Sequence, residues 1–166
     1  GRRTHNLDIG LASGLIDEYT LDLAKAVENA DIVVVATPTL VAEQNLIAVL
    51  NAVNPTSVVT DVASTKGNLR AAIDAAGLNA QRLVLAHPIA GSERSGAAAA
   101  DIDLFVGRKV IITPRPDTDD SALQLVRKMW QSVGSDVVSM AIDDHDQVLA
   151  ATSHLPHVLA FGLVDA

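Results

Sequence analysis

The stretch LVLAHPIAGSERSG, residues 83–96, is the point from which the chain is best read. An apolar run stops at His87-Pro88 and opens into a polar, glycine-containing turn. Such a run reads as a buried strand, and Pro88 removes a ladder donor and biases His87 toward an extended conformation. His87 therefore stands at a strand's carboxyl end, the edge of an open α/β sheet at which ligands bind. An imidazole titrates at about 6.5 when unperturbed, so one placed there is a candidate general base or hydrogen-bond acceptor. The competing reading is a strand-terminating histidine bonded to a nearby carbonyl.

Outward from this strand the pattern alternates. Before it, Asp31-Ile-Val-Val-Val-Ala36-Thr37-Pro38 carries a β-branched run closed by proline and predicts a strand buried on both faces. Between the two, residues 40–53 predict a helix, 57–62 a strand, and 66–76 a helix stopped by Gly77. Beyond it, residues 109–113 predict a strand and 119–133 an amphipathic helix with acidic residues at its start and Arg127-Lys128 toward its end, as the helix dipole prefers. Gly134 stops that helix, and residues 135–140 predict a last strand. At the amino end, Asn6, Leu7, Ile9 and Leu11 give a short helical pattern ending near Gly14, and residues 21–27 a second brief helix. Strands and helices alternating at these spacings predict an α/β fold, a doubly wound, mostly parallel sheet with right-handed crossovers. From Asp143 the pattern becomes helical throughout, broken only by Pro156. Residues 1–141 are accordingly expected to form the α/β domain and 142–166 a helix that leaves it.

Composition narrows the function. With 166 residues, 49% hydrophobic but 2% aromatic, the chain must build its core from Ala, Val, Leu and Ile. Its 12 Lys and Arg face 20 Asp and Glu, a net charge of −8, so there is no basic surplus to neutralise nucleic-acid phosphates. The absence of cysteine removes disulfides, thiol nucleophiles and cysteine zinc sites. There is no signal-peptide pattern and no apolar run of bilayer-spanning length, so the expectation is a cytoplasmic protein with no membrane or nucleic-acid partner.

If the sheet is assembled this way, three groups meet on its carboxyl edge: Ala36-Thr37-Pro38, the segment from Asp61 through Ser64 to Lys66, and His87-Pro88. Thr37-Pro38 fits a plain strand-to-helix turn and equally a backbone against which a cofactor lies. Ser64 is either a cap for the helix beginning near Lys66 or a substrate contact. Lys66 reads as a solvated lysine at a helix start rather than a phosphate ligand. A fourth group is Ser153-His154-Leu155-Pro156-His157, where helical spacing puts His154 and His157 on one face with Ser153 near His157. No third ligand of recognisable spacing accompanies the two histidines, so no metal is predicted. Pro156 would cost about 3 kcal/mol in a regular helix interior, and it marks either a distorted site or a helix boundary.

Taken together, HPIAGSERSG at residues 87–96, DVASTKG at 61–67 and DHDQVLAATSHLPHVLAF at 144–161 resemble the prephenate dehydrogenase family, with its arogenate and cyclohexadienyl dehydrogenase members. The resemblance runs from the Asp31 strand to the end of the chain. It implies a Rossmann-type domain holding NAD or NADP, followed by an all-helical domain that makes a homodimer around the substrate cleft. It implies oxidative decarboxylation in tyrosine biosynthesis, of prephenate to 4-hydroxyphenylpyruvate or of arogenate to tyrosine. In this family His87 matches the catalytic histidine, and Ser64 matches a serine that bonds the same substrate hydroxyl or orients the histidine. His157 matches a substrate-binding histidine with Ser153 and His154 beside it, and Ser92 and Glu93 match a polar turn lining the pocket. Ala36, Thr37, Pro38 and Asp61 become the candidate cofactor contacts.

The departures from the family are equally specific. A dinucleotide domain opens with a strand and a GxGxxG turn, and neither occurs here. Gly1-Arg2-Arg3 resembles the end of the second strand, so the expectation is a domain truncated at both ends, without its first βα unit and without the later helical domain and its carboxylate-binding arginine. Such a piece should expose a sheet edge and bind cofactor and substrate poorly. Arg2 and Arg3 fall where an acidic residue would hold the ribose of NAD, which points either to the 2′-phosphate of NADP or to two solvated arginines. Two rival readings stand beside this one: a β-hydroxyacid dehydrogenase of similar fold, which would place a lysine where SHLPH supplies histidines, and a non-catalytic assembly module.

Overall fold

Five short β-branched and aliphatic runs form one sheet in the computed structural model, which describes residues 4–91 and 96–164, apart from the side chains of residues 154, 157 and 161–164. The strands are β1 Ile32–Val35, β2 Val58–Asp61, β3 Leu83–Pro88, β4 Lys109–Thr113 and β5 Asp136–Ser139, and their spatial order follows the chain. β1, β2 and β3 are parallel, with Val33 beside Val59 and Val59 beside Leu83. β4 runs antiparallel to β3, setting His87 opposite Ile111, and β5 is parallel to β4. The helices are α1 His5–Ala12, α2 Leu23–Val27, α3 Thr39–Ala52, α4 Gly67–Ala75, α5 Asp120–Ser132, α6 Ile142–Leu149 and α7 Leu155–Val164. None of the described helices is long and apolar enough to cross a membrane.

Alternation along the strands divides the core between two faces. Val35, Val59, Leu83 and Leu85 pack with Leu46 and Val49 of α3, Leu69 and Ile73 of α4, and Ile142 of α6. Val58, Val84, Ala86, Val110 and Ile112 face the other way, onto Ala122, Val126 and Trp130 of α5, which recur every four residues on one helical stripe. Each such Val, Leu or Ile contributes about 1.5–3 kcal/mol when fully buried, which is how a core with so few aromatic rings holds two helical layers. Asp119 starts α5 by accepting the Ala122 amide at 3.0 Å.

Three expectations need correction. β1 is not buried on both faces: Val34 is 40% exposed, because β1 pairs only with β2 and its other edge has no partner among the described residues. Pro88 does not remove a ladder donor: β3 runs through it, with Pro88 opposite Val110, and Ile89 donates its amide to the Lys109 carbonyl at 2.8 Å. Amides alternate in direction along a strand, so the Pro88 nitrogen points away from β4 and no ladder donor is lost. The final helical stretch is not uniform: α6 passes into a π-helical turn, Ala150–His154, before α7. Pro156 offers no N–H to the Thr152 carbonyl and its ring crowds it, and the widened turn accommodates both. Nor does this stretch leave the sheet at once, since Ile142, His145 and Leu149 put one face of α6 into the protein interior.

Candidate active site

Because β1, β2 and β3 are parallel, Thr37 and Ser64, which follow β1 and β2, and His87, next to last in β3, lie toward one edge of the sheet. The loop from β2 to α4 is organised by Asp61. Its ladder with β3 ends at Thr60 beside Val84, and beyond that the Asp61 carboxylate takes over, accepting the Ala86 amide at 3.0 Å and the Ala63 amide at 2.9 Å. The same carboxylate holds the Lys66 ammonium at 2.5 Å, with both side chains buried. The expectation of a solvated Lys66 is thus overturned: the residue has no exposed surface. Burial lowers its pKa, an effect that the Asp61 and Asp146 carboxylates only partly offset. Asp61, a candidate cofactor contact, has its carboxylate directed inward and engaged by an ammonium and two amides, so what it positions is the loop.

Ser64 is half-buried and does not cap α4. That role falls to Asp146 of α6, whose Oδ1 accepts the Lys66 amide at 3.0 Å and whose Oδ2 accepts the Gly67 amide at 2.7 Å. A negative charge is stabilised at a helix N-terminus in this way, here across 80 residues of sequence. Position 67 must be small for the approach to occur, since a Cβ there would lie 2.9 Å from Asp146 Oδ2.

Asp146 also faces a histidine. His145 Nδ1 is 2.7 Å from Asp146 Oδ1, and His145 Nε2 is 2.9 Å from His87 Nδ1. The two imidazoles meet edge-on, with centroids 5.2 Å apart and planes at 68°. His145 is fully buried, whereas His87 is half-buried at the sheet edge. Burial pushes the Asp146 carboxyl up, but the Gly67 amide, the His145 ring and the Lys66 amide outweigh it and leave its pKa below the ordinary value.

On the cofactor side, Ala36 is exposed, Pro38 precedes the first turn of α3, and the buried Thr37 hydroxyl has no hydrogen-bond partner among the described residues. These residues line one end of a cleft of about 760 Å³ that runs along the unpaired edge of β1 between α2 and α3. An orphaned hydroxyl beside exposed backbone at a strand's carboxyl end fits a polar ligand group laid across it. Ser153 lies half-buried in the π-helical turn, and His154 and His157 follow on the same helical stretch with their side chains outside the described set. Arg2, Arg3, Ser92 and Glu93 also lie outside the described residues.

Sequence reasoning gave no role to His145 or Asp146, and it misread Lys66. A signal for His145 was present: Ile142, His145 and Leu149 fall at i, i+3 and i+7, so the histidine occupies a place on the apolar stripe of α6. Nothing local announced that Asp146 would cap a helix 80 residues away.

The chain is similar to proteins of one family. Residues 2–139 match the family model described as prephenate dehydrogenase, nucleotide-binding domain. A cyclohexadienyl dehydrogenase of Zymomonas mobilis is 32% identical over 157 residues, covering 95% of this chain and 53% of that protein. A prephenate dehydrogenase of Aquifex aeolicus, solved with hydroxyphenyl propionate and NAD+, superposes with a TM-score of 0.90 at 35% identity, covering 99% of this chain and 57% of that one. An arogenate dehydrogenase of Synechocystis superposes with a TM-score of 0.87 at 29% identity, covering 99% and 58%. The chain spans about half the length of the curated relatives it matches. With its sheet, its histidine at the end of β3 and a family match over residues 2–139, this chain belongs to the prephenate dehydrogenase family, whose nucleotide-binding domain it contains.

Proposed function

We propose that this chain serves an NAD- or NADP-dependent oxidative decarboxylation of prephenate or arogenate, in which His87 accepts the proton of the ring hydroxyl. The observation that carries the reading is the half-buried imidazole at the carboxyl end of β3, held by a fully buried second histidine. The Aquifex relative, solved with NAD+ and a hydroxyphenyl compound, supports it.

A bound nicotinamide would supply the acceptor for a hydride, that is, for the two electrons of the ring C–H bond. Ala36, Thr37 and Pro38 are the residues to hold it, with the Thr37 hydroxyl finding there the partner it lacks among the described residues. As the hydride departs, the hydroxyl becomes a carbonyl and its proton passes to His87. Loss of the ring carboxylate as CO2 leaves its electron pair in the ring, which becomes aromatic, and the same imidazole can return the proton to the phenolate oxygen. Ser64, half-buried in the loop after β2, would bond that hydroxyl, and Ser153, His154, His157, Ser92 and Glu93 would make up the substrate side. Arg2 and Arg3 would favour NADP through its 2′-phosphate. Residues 142–166 would begin a helical, dimer-forming part: the family match stops at residue 139, and Leu155, Val158 and Leu159 of α7 are 53–66% exposed.

The test is His87→Asn in the full-length protein. The expected result is a loss of about 10²–10⁴-fold in kcat with cofactor affinity nearly unchanged, the range a positioned general base contributes. Turnover within a factor of a few of wild type would remove His87 from this role.

A further inference from the structure

An imidazole that is to accept a proton on one nitrogen must carry its own on the other, and a surface histidine exchanges freely between the two arrangements. The surroundings of His87 select one of them. Asp146 receives the Lys66 amide on Oδ1 and the Gly67 amide on Oδ2, and His145 Nδ1 is 2.7 Å from that same Oδ1. An ionised carboxylate only accepts hydrogen bonds, so His145 must carry a proton on Nδ1. In the neutral buried ring Nε2 then has only its lone pair, and it lies 2.9 Å from His87 Nδ1. The hydrogen between the rings belongs to His87.

We propose that His145 and Asp146 are positioning residues that hold His87 in its Nδ1–H tautomer, making Nε2, on the far side of the ring, the nitrogen that takes the substrate proton. The inference rests on the role given to His87 above. Asp146 comes from α6, and behind it Lys66 is neutralised by Asp61 on the loop after β2. The Asp146 carboxylate, 2.7 Å from His145 Nδ1, favours positive charge on the two rings as it develops. When the hydroxyl proton reaches His87 Nε2, the Nδ1 proton can move toward His145 Nε2, and both return when the phenolate oxygen is reprotonated.

The direct test is nitrogen-15 NMR of histidine-labelled full-length protein, which reads the tautomer without turnover. The expected wild-type signature is a protonated Nδ1 and a pyridine-like Nε2 on His87. His145→Phe keeps a ring in the buried space but offers no acceptor, and it should return His87 to a mixture of tautomers. It should also lower kcat by about 10²-fold, with KM for the cofactor unchanged, and shift the acid limb of the pH–rate profile. His145→Gln, whose amide oxygen can accept the Nδ1 proton, should recover much of that loss. A wild-type His87 protonated on Nε2 would overturn the proposal, and so would a His145→Phe protein with unaltered nitrogen signals and kcat. The wild-type spectrum carries the test even where a variant fails to fold. Substantial turnover by His87→Asn alongside the expected spectrum would instead count against the proposed function, so the two failures are distinguishable.

Discussion

Lys66→Met tests whether the buried ion pair organises the site loop. Lys66 and Asp61 have side-chain exposures of 0% and 1%, and the ammonium lies 2.5 Å from the carboxylate. Methionine fills nearly the same volume but leaves Asp61 with two amide bonds and no countercharge. Removing one partner of a buried pair costs about 3–5 kcal/mol. For a chain of this size each kcal/mol lowers Tm by about 2–4 °C, so the variant should melt about 6–20 °C below wild type. Asp61→Asn should be milder, because Lys66 can shed its proton. Its pKa already lies below 10.5, so between that lowered value and 10.5 the unfolded chain binds more protons than the folded one, and stability rises with pH through that window. The double variant, in which no charge is stranded, should recover part of the loss. Urea denaturation of the four proteins at two pH values measures the coupling directly. A Lys66→Met protein within 1 kcal/mol of wild type, or losses that simply add, would refute the reasoning, since about 3 kcal/mol is the least a stranded buried charge should cost.

Two further outcomes follow from the cap on α4. Gly67→Ala would set a Cβ 2.9 Å from Asp146 Oδ2, and displacing the carboxylate should cost about 1–2 kcal/mol despite the better helix propensity of alanine; thermal melts check this, and an increase in Tm would contradict it. Acid should loosen the same contact: the Asp146 pKa is depressed in the folded state, so its stabilisation is complete above the unfolded value of 3.8 and is lost as pH falls through the folded one. Acid unfolding of Asp146→Asn should therefore show a shallower slope below pH 3.8 than wild type, and identical slopes would argue against the assignment.

Much of the fold was legible because it is written in local periods. The β-branched runs at β1 and β2, Gly77 and Gly134 after helices, and the acidic start of α5 each act within a few residues. The carboxyl-edge location of Thr37, Ser64 and His87 followed from parallel strands alone. What remained hidden depends on contacts across the chain. Lys66 looks like any exposed lysine until the strand-end aspartate five residues earlier is turned inward, and Asp146 looks like a solvated acid among others until α6 reaches the start of α4. The β1 run was misjudged because valine-rich sequence marks a central strand whether or not a neighbour is present to cover it. The family likeness placed His87 and left its partner His145 unread, since a shared motif does not say which of its residues touch.

The cap that Asp146 places on α4 also limits movement. With Ile142 in the core, His145 beneath the sheet edge and Asp146 bonded to two amides, α6 moves with the α/β layers as one rigid piece. The first place where the backbone leaves regular α-helix geometry after that anchor is the widened turn at Ala150–His154. Any bending of α7 relative to the α/β layers must pivot there or farther along, leaving the His87–His145 contact undisturbed.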